Sequence, residues 1–288
     1  MDQINKNNWA KFSLAGFGLA GLGIGLTLFA GAANWKAETE RAVTALKQSA
    51  APLEKKTVSL ADFDELPVPV ARYFRFALKD DQKIVHIARI KHTGEFNLND
   101  KWIPFESIQH FSSNPPAFVW DAKMQMNSLM SVRVRDGYSA GKGLMLAKIY
   151  GLFTVADADS NDNKLASGAL MRFLAESAWQ PTALLPSENL KWSPIDDNRA
   201  LATLTDAGVT VSLEFEFNET GEIISIFSPE RFREYKGEYK PFGWSGRFWD
   251  YQERNGKRIP LQGEVEWQMP EGKVPYWRGR IIEAEYIF

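Results

Sequence analysis

Three histidines, His86, His92 and His110, are the side chains whose ordinary pKa lies near neutrality, so they are the first candidates for proton transfer or metal ligation. His86 and His92 share parity in "IVHIARIKHTGEFNL". Six residues of strand at about 3.3 Å each would hold them about 20 Å apart, too far to share a metal. His110, in "IQHFSS", belongs to no ligand motif, so all three read as ordinary strand histidines. Among carboxylates, Asp121 in "FVWDAKM" and Asp136 in "RVRDGY" stand between apolar residues. Asp136 precedes Gly137, which reads as turn chemistry. Asp121 has no such explanation, but a lone carboxylate specifies no mechanism. The chain has no cysteine, which removes thiolate nucleophiles, disulfides and thiolate metal sites. It also lacks G-x-S-x-G, Walker A, Rossmann and H-E-x-x-H signatures. No catalytic set, metal site or cofactor is expected.

The remaining chemistry is recognition. In "PYWRGRIIEAEYIF", Ile282, Ala284, Tyr286 and Phe288 share one parity, but Trp277 and Ile281 share the other. The parity flips near Ile281-Ile282. Either a β-bulge resets the register, or Arg278 and Arg280 point toward the covered face and hold an anionic headgroup beside an apolar cavity. Aromatic and basic residues also interleave in "YKPFGWSGRFWDYQER", a strip that could stack on bases or sugars. Asp250 and Glu253 dilute its charge, and aromatics at strand spacing read as core. With a formal net charge of -2, the chain has no overall attraction to phosphate backbones, and nucleic acid is not an expected partner.

The elements that would position these groups are mostly strands. The 288 residues, 44% hydrophobic and 24% charged, can build a sizeable core. Beyond residue 83, alternation of period two recurs in "IVHIARIKHTGEFNL", "MSVRVRDGY", "VTVSLEFEFN" and "GEVEWQM". Hairpin turn signals fall between such runs at Asp136-Gly137, Ala207-Gly208, Thr220-Gly221 and Asn255-Gly256. Short turns imply antiparallel pairing, and the runs amount to about ten or eleven strands. Two helices interrupt them. "LPVPVARYFRFAL" places Pro69 near the start of a short amphipathic helix over 68–78, and "NKLASGALMRFLAESAW" gives one of about four turns over 164–179.

One helix roughly 10 Å across cannot shield ten strands spaced about 4.8 Å apart. A wide apolar sheet face is not left bare, so the sheet must curl around its helix. The fold class is therefore mainly β (α+β): a curved antiparallel half-barrel wrapped around one amphipathic helix, over residues 61–288. Its concave side is the expected ligand-binding surface. Met124, Met130 and Met145 would give it an adaptable lining, beside Trp120 and Val132. Phe173, Phe215 and Trp267 would complete the apolar wall, with Arg278 and Arg280 as polar contacts.

Before the half-barrel, "FSLAGFGLAGLGIGLTLFAGAA" (12–33) runs 22 residues without a charge. As a helix it matches the roughly 30 Å of a bilayer's hydrocarbon core. Trp9 and Trp35, with Lys11 and Lys36, look like interface anchors at its ends. "AGA" at 30–32 would serve as a signal-peptide cleavage site, but the apolar run exceeds the ~7–15 residues of such a region. Residues 1–35 are thus expected as a membrane anchor or signal segment, and 36–60 as a helical stalk and linker. Gly21 and Gly25 also fit G-x-x-x-G, a loose helix-pairing pattern.

"LPVPVARYFRFAL", "PPAFVWDAKM", "AESAWQPTALLPS", "GEVEWQMPEG" and "PYWRGRI" resemble an uncharacterised bacterial membrane-anchored family over about 65–288. That resemblance brings no activity with it. In architecture, strands wrapped around a helix are similar to the LolA-like periplasmic lipoprotein carriers, which implies a lipid or acyl-chain ligand. The expected protein is an envelope protein of the bacterial inner membrane, single-pass, with its main domain in the periplasm, binding a lipid or other apolar ligand. A protein-interaction domain serving an envelope partner is the alternative, and a hydrolase comes after it.

Overall fold

Burial along one strand shows how the sequence makes the sheet. In β1 (Ile87–Leu98), Ala88, Ile90 and His92 are buried, whereas Arg89 and Lys91 between them are only partly covered. The same alternation builds β2 (Lys101–Ser112), β3 (Ala117–Gln125), β4 (Ser131–Ser139), β5 (Lys142–Ile149) and β6 (Phe153–Ser160). After an intervening helix come β7 (Leu190–Pro194), β8 (Arg199–Asp206), β9 (Val209–Phe217) and β10 (Ile223–Tyr235). The last three are β11 (Glu238–Arg254), β12 (Lys257–Met269) and β13 (Gly272–Ile287). This computed structural model describes residues 6–52, 55–160 and 163–288, with the side chains of 6–24, 159 and 160 outside the described set.

The thirteen strands form one antiparallel sheet in the order β6-β5-β4-β3-β2-β1-β13-β12-β11-β10-β9-β8-β7. Two meanders are therefore joined where β1 pairs with β13, from Ile87 opposite Ile287 to Phe96 opposite Trp277. At this seam Gly94 faces Gly279, which in turn faces Gly263 of β12. A Cβ on Gly94 would lie 2.2 Å from the Arg278 carbonyl oxygen, so the close approach of the backbones here requires glycine.

The parity flip in the last strand is a bulge. Lys91 pairs with Glu283 and His92 with Ile281, leaving Ile282 as the extra residue. Arg278 and Arg280 consequently face away from the covered side. Arg278 pairs with Glu95 and lies over the Trp102 ring, and Arg280 pairs with Asp250 at 2.7 Å. The inward reading of these two arginines is corrected, because the bulge satisfies the pattern without burying a guanidinium.

Turns at Ala140-Gly141, Ala207-Gly208, Lys236-Gly237 and Asn255-Gly256 have positive φ at both residues, the type I′ hairpin geometry. Asp136-Gly137 is not a turn but lies in the middle of β4, where a Cβ on Gly137 would meet the Phe118 carbonyl oxygen at 2.9 Å. The strand count exceeds ten or eleven because segments such as "KGLMLAKI" of β5 and "LKWSP" of β7 carry little alternation of their own.

The sheet curves around α3 (Asn163–Glu176), which connects β6 to β7 and so links the two free edges. It packs on β4, β5 and β6 from one side and on β9 and β10 from the other. Leu170, Phe173 and Leu174 are buried between. Short 3-10 turns over 177–179 and 181–184 continue the segment. A second helix, α2 (Val68–Ala77), plugs one end of the trough: Tyr73 and Phe74 stack among Phe63 and Phe217, and Gly221 of the β9–β10 turn abuts the Arg72 carbonyl.

The N-terminal helix, α1 (Lys6–Ser49), is continuous through the expected stalk. Most of the expected membrane span, 12–33, lies where side chains are outside the described set. Among the described residues, no helix is long and apolar enough to cross a membrane. The second half of α1 lies across the outer face of β3 and β2. Trp35, expected at a headgroup interface, is instead buried there, because its indole N–H donates to Asp121 at 2.9 Å. Beside it the buried Arg135 guanidinium stacks on the indole at 4.3 Å and donates to the Trp35 carbonyl and the Thr39 hydroxyl.

Candidate functional site

Opposite the plug of α2, the trough is not filled. A cavity of about 580 Å³ lies there, within the ~300–1,000 Å³ common for small-molecule sites. Period-two alternation supplies its walls. On one side stand Trp120 and Met124 of β3, Met126 just beyond it, Val132 and Val134 of β4, and Met145 of β5. On the other are Ile226 of β10, Trp244 of β11, Val265 and Trp267 of β12, and Tyr276 and Trp277 of β13. Two successive residues of β13 face inward because a second register shift, between Val265 and Glu266, leaves Tyr276 unpaired. Ala175 and Trp179 form part of the floor.

Within these apolar walls, two polar groups stand out. Arg172 of α3 lies 4.9 Å from the centre of the Trp120 ring. It donates to Glu176 at 2.8 Å and pairs with Asp136. Gln109 donates to the other Glu176 oxygen at 2.6 Å. Burial raises the Glu176 carboxyl above its ordinary range, with Arg172 and Gln109 opposing. Asp136, which looked like a turn residue, is thus one arm of a partly buried carboxylate–guanidinium–carboxylate cluster. Across the cavity, Arg231 of β10 lies 4.4 Å from the centre of the Trp244 ring and 5.2 Å from that of Trp267. It donates to the Tyr276 hydroxyl and to the Gly168 carbonyl, each at 3.1 Å.

Of the ten residues expected to contact a ligand, the structure brings Trp120, Met124, Val132, Met145 and Trp267 to the cavity wall. Phe173 and Phe215 face the same interior but are packed, against Phe111 and against Trp192 and Phe217 respectively. Met130 belongs to the β3–β4 turn, where its backbone closes the hairpin. Arg278 and Arg280 lie on the outer face, as described. Sequence reasoning missed Arg172, Glu176, Trp179, Arg231 and Tyr276. The Arg172–Glu176 spacing of four on a helix otherwise covered in apolar residues was a usable sign of a buried pair. Nothing in β10 marks Arg231 out.

His92 is buried beside this floor, its ring 4.7 Å from Trp179, and burial followed by the Arg172 charge lowers its pKa to about 3. It is neutral near pH 7. Burial likewise lowers His110 to about 4, aided by Lys47 and Arg89. Asp121 is spent on Trp35 and has no access to the cavity side of β3. Among the described residues, no cluster of three or more potential metal ligands occurs.

The family model of DUF6920, a family of unknown function, matches residues 64–286. No curated protein matches the chain. Among solved structures, the chain is similar to a DUF1329 family protein from Desulfovibrio piger at 10% identity and TM-score 0.40, covering 77% of this chain and 93% of that one. It is similar to a LolA superfamily protein from Nitrosomonas europaea at 8% identity and TM-score 0.38, covering 80% and 94%. A putative outer membrane lipoprotein-sorting protein domain from Vibrio parahaemolyticus matches at 8% identity and TM-score 0.36, covering 79% and 92%.

Proposed function

We propose that this chain, which belongs to the DUF6920 family of unknown function, binds a lipid or other apolar ligand in the open half of its trough. The cavity of about 580 Å³ among tryptophans and methionines carries the reading. Protein interiors close-pack, and wall atoms around a void forfeit their dispersion contacts. An alkyl chain restores those contacts, each buried methylene contributing about 0.8 kcal/mol. Met124, Met126 and Met145 adapt to ligands of differing shape.

The same reading places the mouth of the trough at a membrane. Leu98, Leu129, Phe153 and Val274 are exposed at the β1–β2, β3–β4, β5–β6 and β12–β13 turns, which antiparallel order sets along one end of the sheet. α1 crosses this rim at Gly31, where a Cβ would lie 2.2 Å from the Leu152 side chain. Just before it, Leu26 and Phe29 are exposed, and they belong to the uncharged run 12–33. Single-pass anchoring in the bacterial inner membrane, with the domain in the periplasm, would set the mouth against the bilayer surface.

Residues 34–288 contain the main core, which among the described residues draws no side chain from α1, together with the docked half of that helix, and so keep every packing contact of that core. Purified 34–288 is expected to bind the neutral apolar dye N-phenyl-1-naphthylamine at one site, read as fluorescence enhancement. Val132→Trp, which fills the cavity from a half-covered strand position, is expected to abolish that binding with little change in melting temperature. Equal dye binding by the two proteins would remove the cavity as the site.

A further inference from the structure

We infer that the ligand carries an anionic head, a carboxylate or a phosphate, and that Arg231 receives it; this rests on the apolar-ligand reading above. Of the two arginines lining the cavity, Arg172 is already neutralised by Asp136 and Glu176. Arg231 has no carboxylate within ion-pair distance among the described residues. Its acceptors are neutral, the Tyr276 hydroxyl and the Gly168 carbonyl, and its Nε is buried with no acceptor at all. A guanidinium so placed between two indoles loses hydration without gaining a counter-charge, and an oxyanion would supply one.

The neighbouring hydroxyl points to the same chemistry. The Tyr276 oxygen accepts from Arg231 and, at 3.0 Å, from Trp244 Nε1. Both of its lone pairs are then used, and its own proton remains to be donated. A guanidinium without a counter-charge and an unspent O–H at one end of an apolar cavity suit one oxyanion. Two residues along β10, Arg233 lies 5.0 Å from the centre of the Trp267 ring, and it too has no carboxylate partner among the described residues. It adds positive potential on the same side. The Asp136 and Glu176 carboxylates, committed to Arg172 on α3, do not offset it by contact.

Displacement of the dye from 34–288 at pH 8 tests this. Palmitate and 1-palmitoyl lysophosphatidate serve as anions from the two sources, and hexadecanol as the neutral chain. At least one anion is expected to displace the dye about tenfold more tightly than hexadecanol, consistent with charge-assisted hydrogen bonds. Which anion does so identifies carboxylate or phosphate. Arg231→Gln is expected to reduce the preference to about twofold while leaving hexadecanol unchanged, which also reports that the cavity is intact. Arg231→Lys keeps the charge without the fork and should lie between. Equal displacement by all three ligands in the unmodified chain overturns the anionic head while leaving the cavity standing, and so does a preference that survives Arg231→Gln. A chain that binds no dye overturns both.

Discussion

His92 is a side chain whose protonation the fold strongly opposes. Its ring lies against Trp179, Ser107 Oγ is 3.5 Å from Nδ1, and Nε2 is buried without a partner. An unfolded histidine titrates near 6.5, whereas here the value falls to about 3. Between those values the unfolded chain takes up a proton that the native one refuses, so stability is full above about 6.5 and declines as pH falls toward 3. His110, lowered to about 4, acts in the same direction. Urea midpoints are expected to drop from pH 7 to pH 4, and His92→Gln should make that dependence shallower; an identical slope would refute the assignment. Arg172→Met would leave Asp136 and Glu176 facing each other without a cation, costing about 3–5 kcal/mol by denaturant unfolding. The parity of His92 was legible in "IARIKH", but the missing partner at Nε2 was not. Asp136 was misread because the Asp-Gly dipeptide signals a turn, and its guanidinium partner lies 36 residues along the chain on a helix whose placement no spacing specifies.

The helix α1 docks as an element of its own. Beyond the rim contact at Gly31, it docks on the outer face through Trp35, Thr39 and Leu46, and among the described residues none of its side chains belongs to the main core. Arg135→Ala removes the hydrogen bonds and the ring contact that hold it on β4. Hydrogen exchange over 34–49 is expected to rise toward that of an exposed helix, while amides of β8 and β9 keep their protection. Protection unchanged over 34–49 would mean that Leu46 and its neighbours suffice. The helical character of the stalk was readable from composition. Its docking was not, since an indole N–H is served equally well by a headgroup or by a carboxylate 86 residues away. Similarly, α3 was expected over 164–179 and ends at Glu176, where 3-10 turns take over and bring Trp179 to the cavity floor.

For the molecule as a whole, the shortage of helical cover gave the right curvature: a single sheet bends around α3. That inference needs only the number of apolar strands and the width of a helix, so it survives errors in strand count. The glycine row across the seam was hidden, because Gly94, Gly263 and Gly279 are far apart in sequence and meet only once the register is known. Gly94→Ala is expected to destabilise by several kcal/mol or to prevent folding, since backbone atoms of β13 occupy the space a methyl would need. Solubility and melting temperature read this directly, and a wild-type melt would show that the seam can give way. Also hidden was which half of the trough stays open. That depends on α2 plugging one end, and an amphipathic pattern marks its buried face without saying what it plugs.

The pairing of β1 with β13 also governs the timing of assembly. The strand that opens the sheet must wait for residues 272–287, which follow every other strand in the chain. Until those residues leave the ribosome or a translocation channel, the two meanders are joined only through α3, and β1 presents an unpaired edge. For that interval the unpaired edge is a template on which another chain can add a strand.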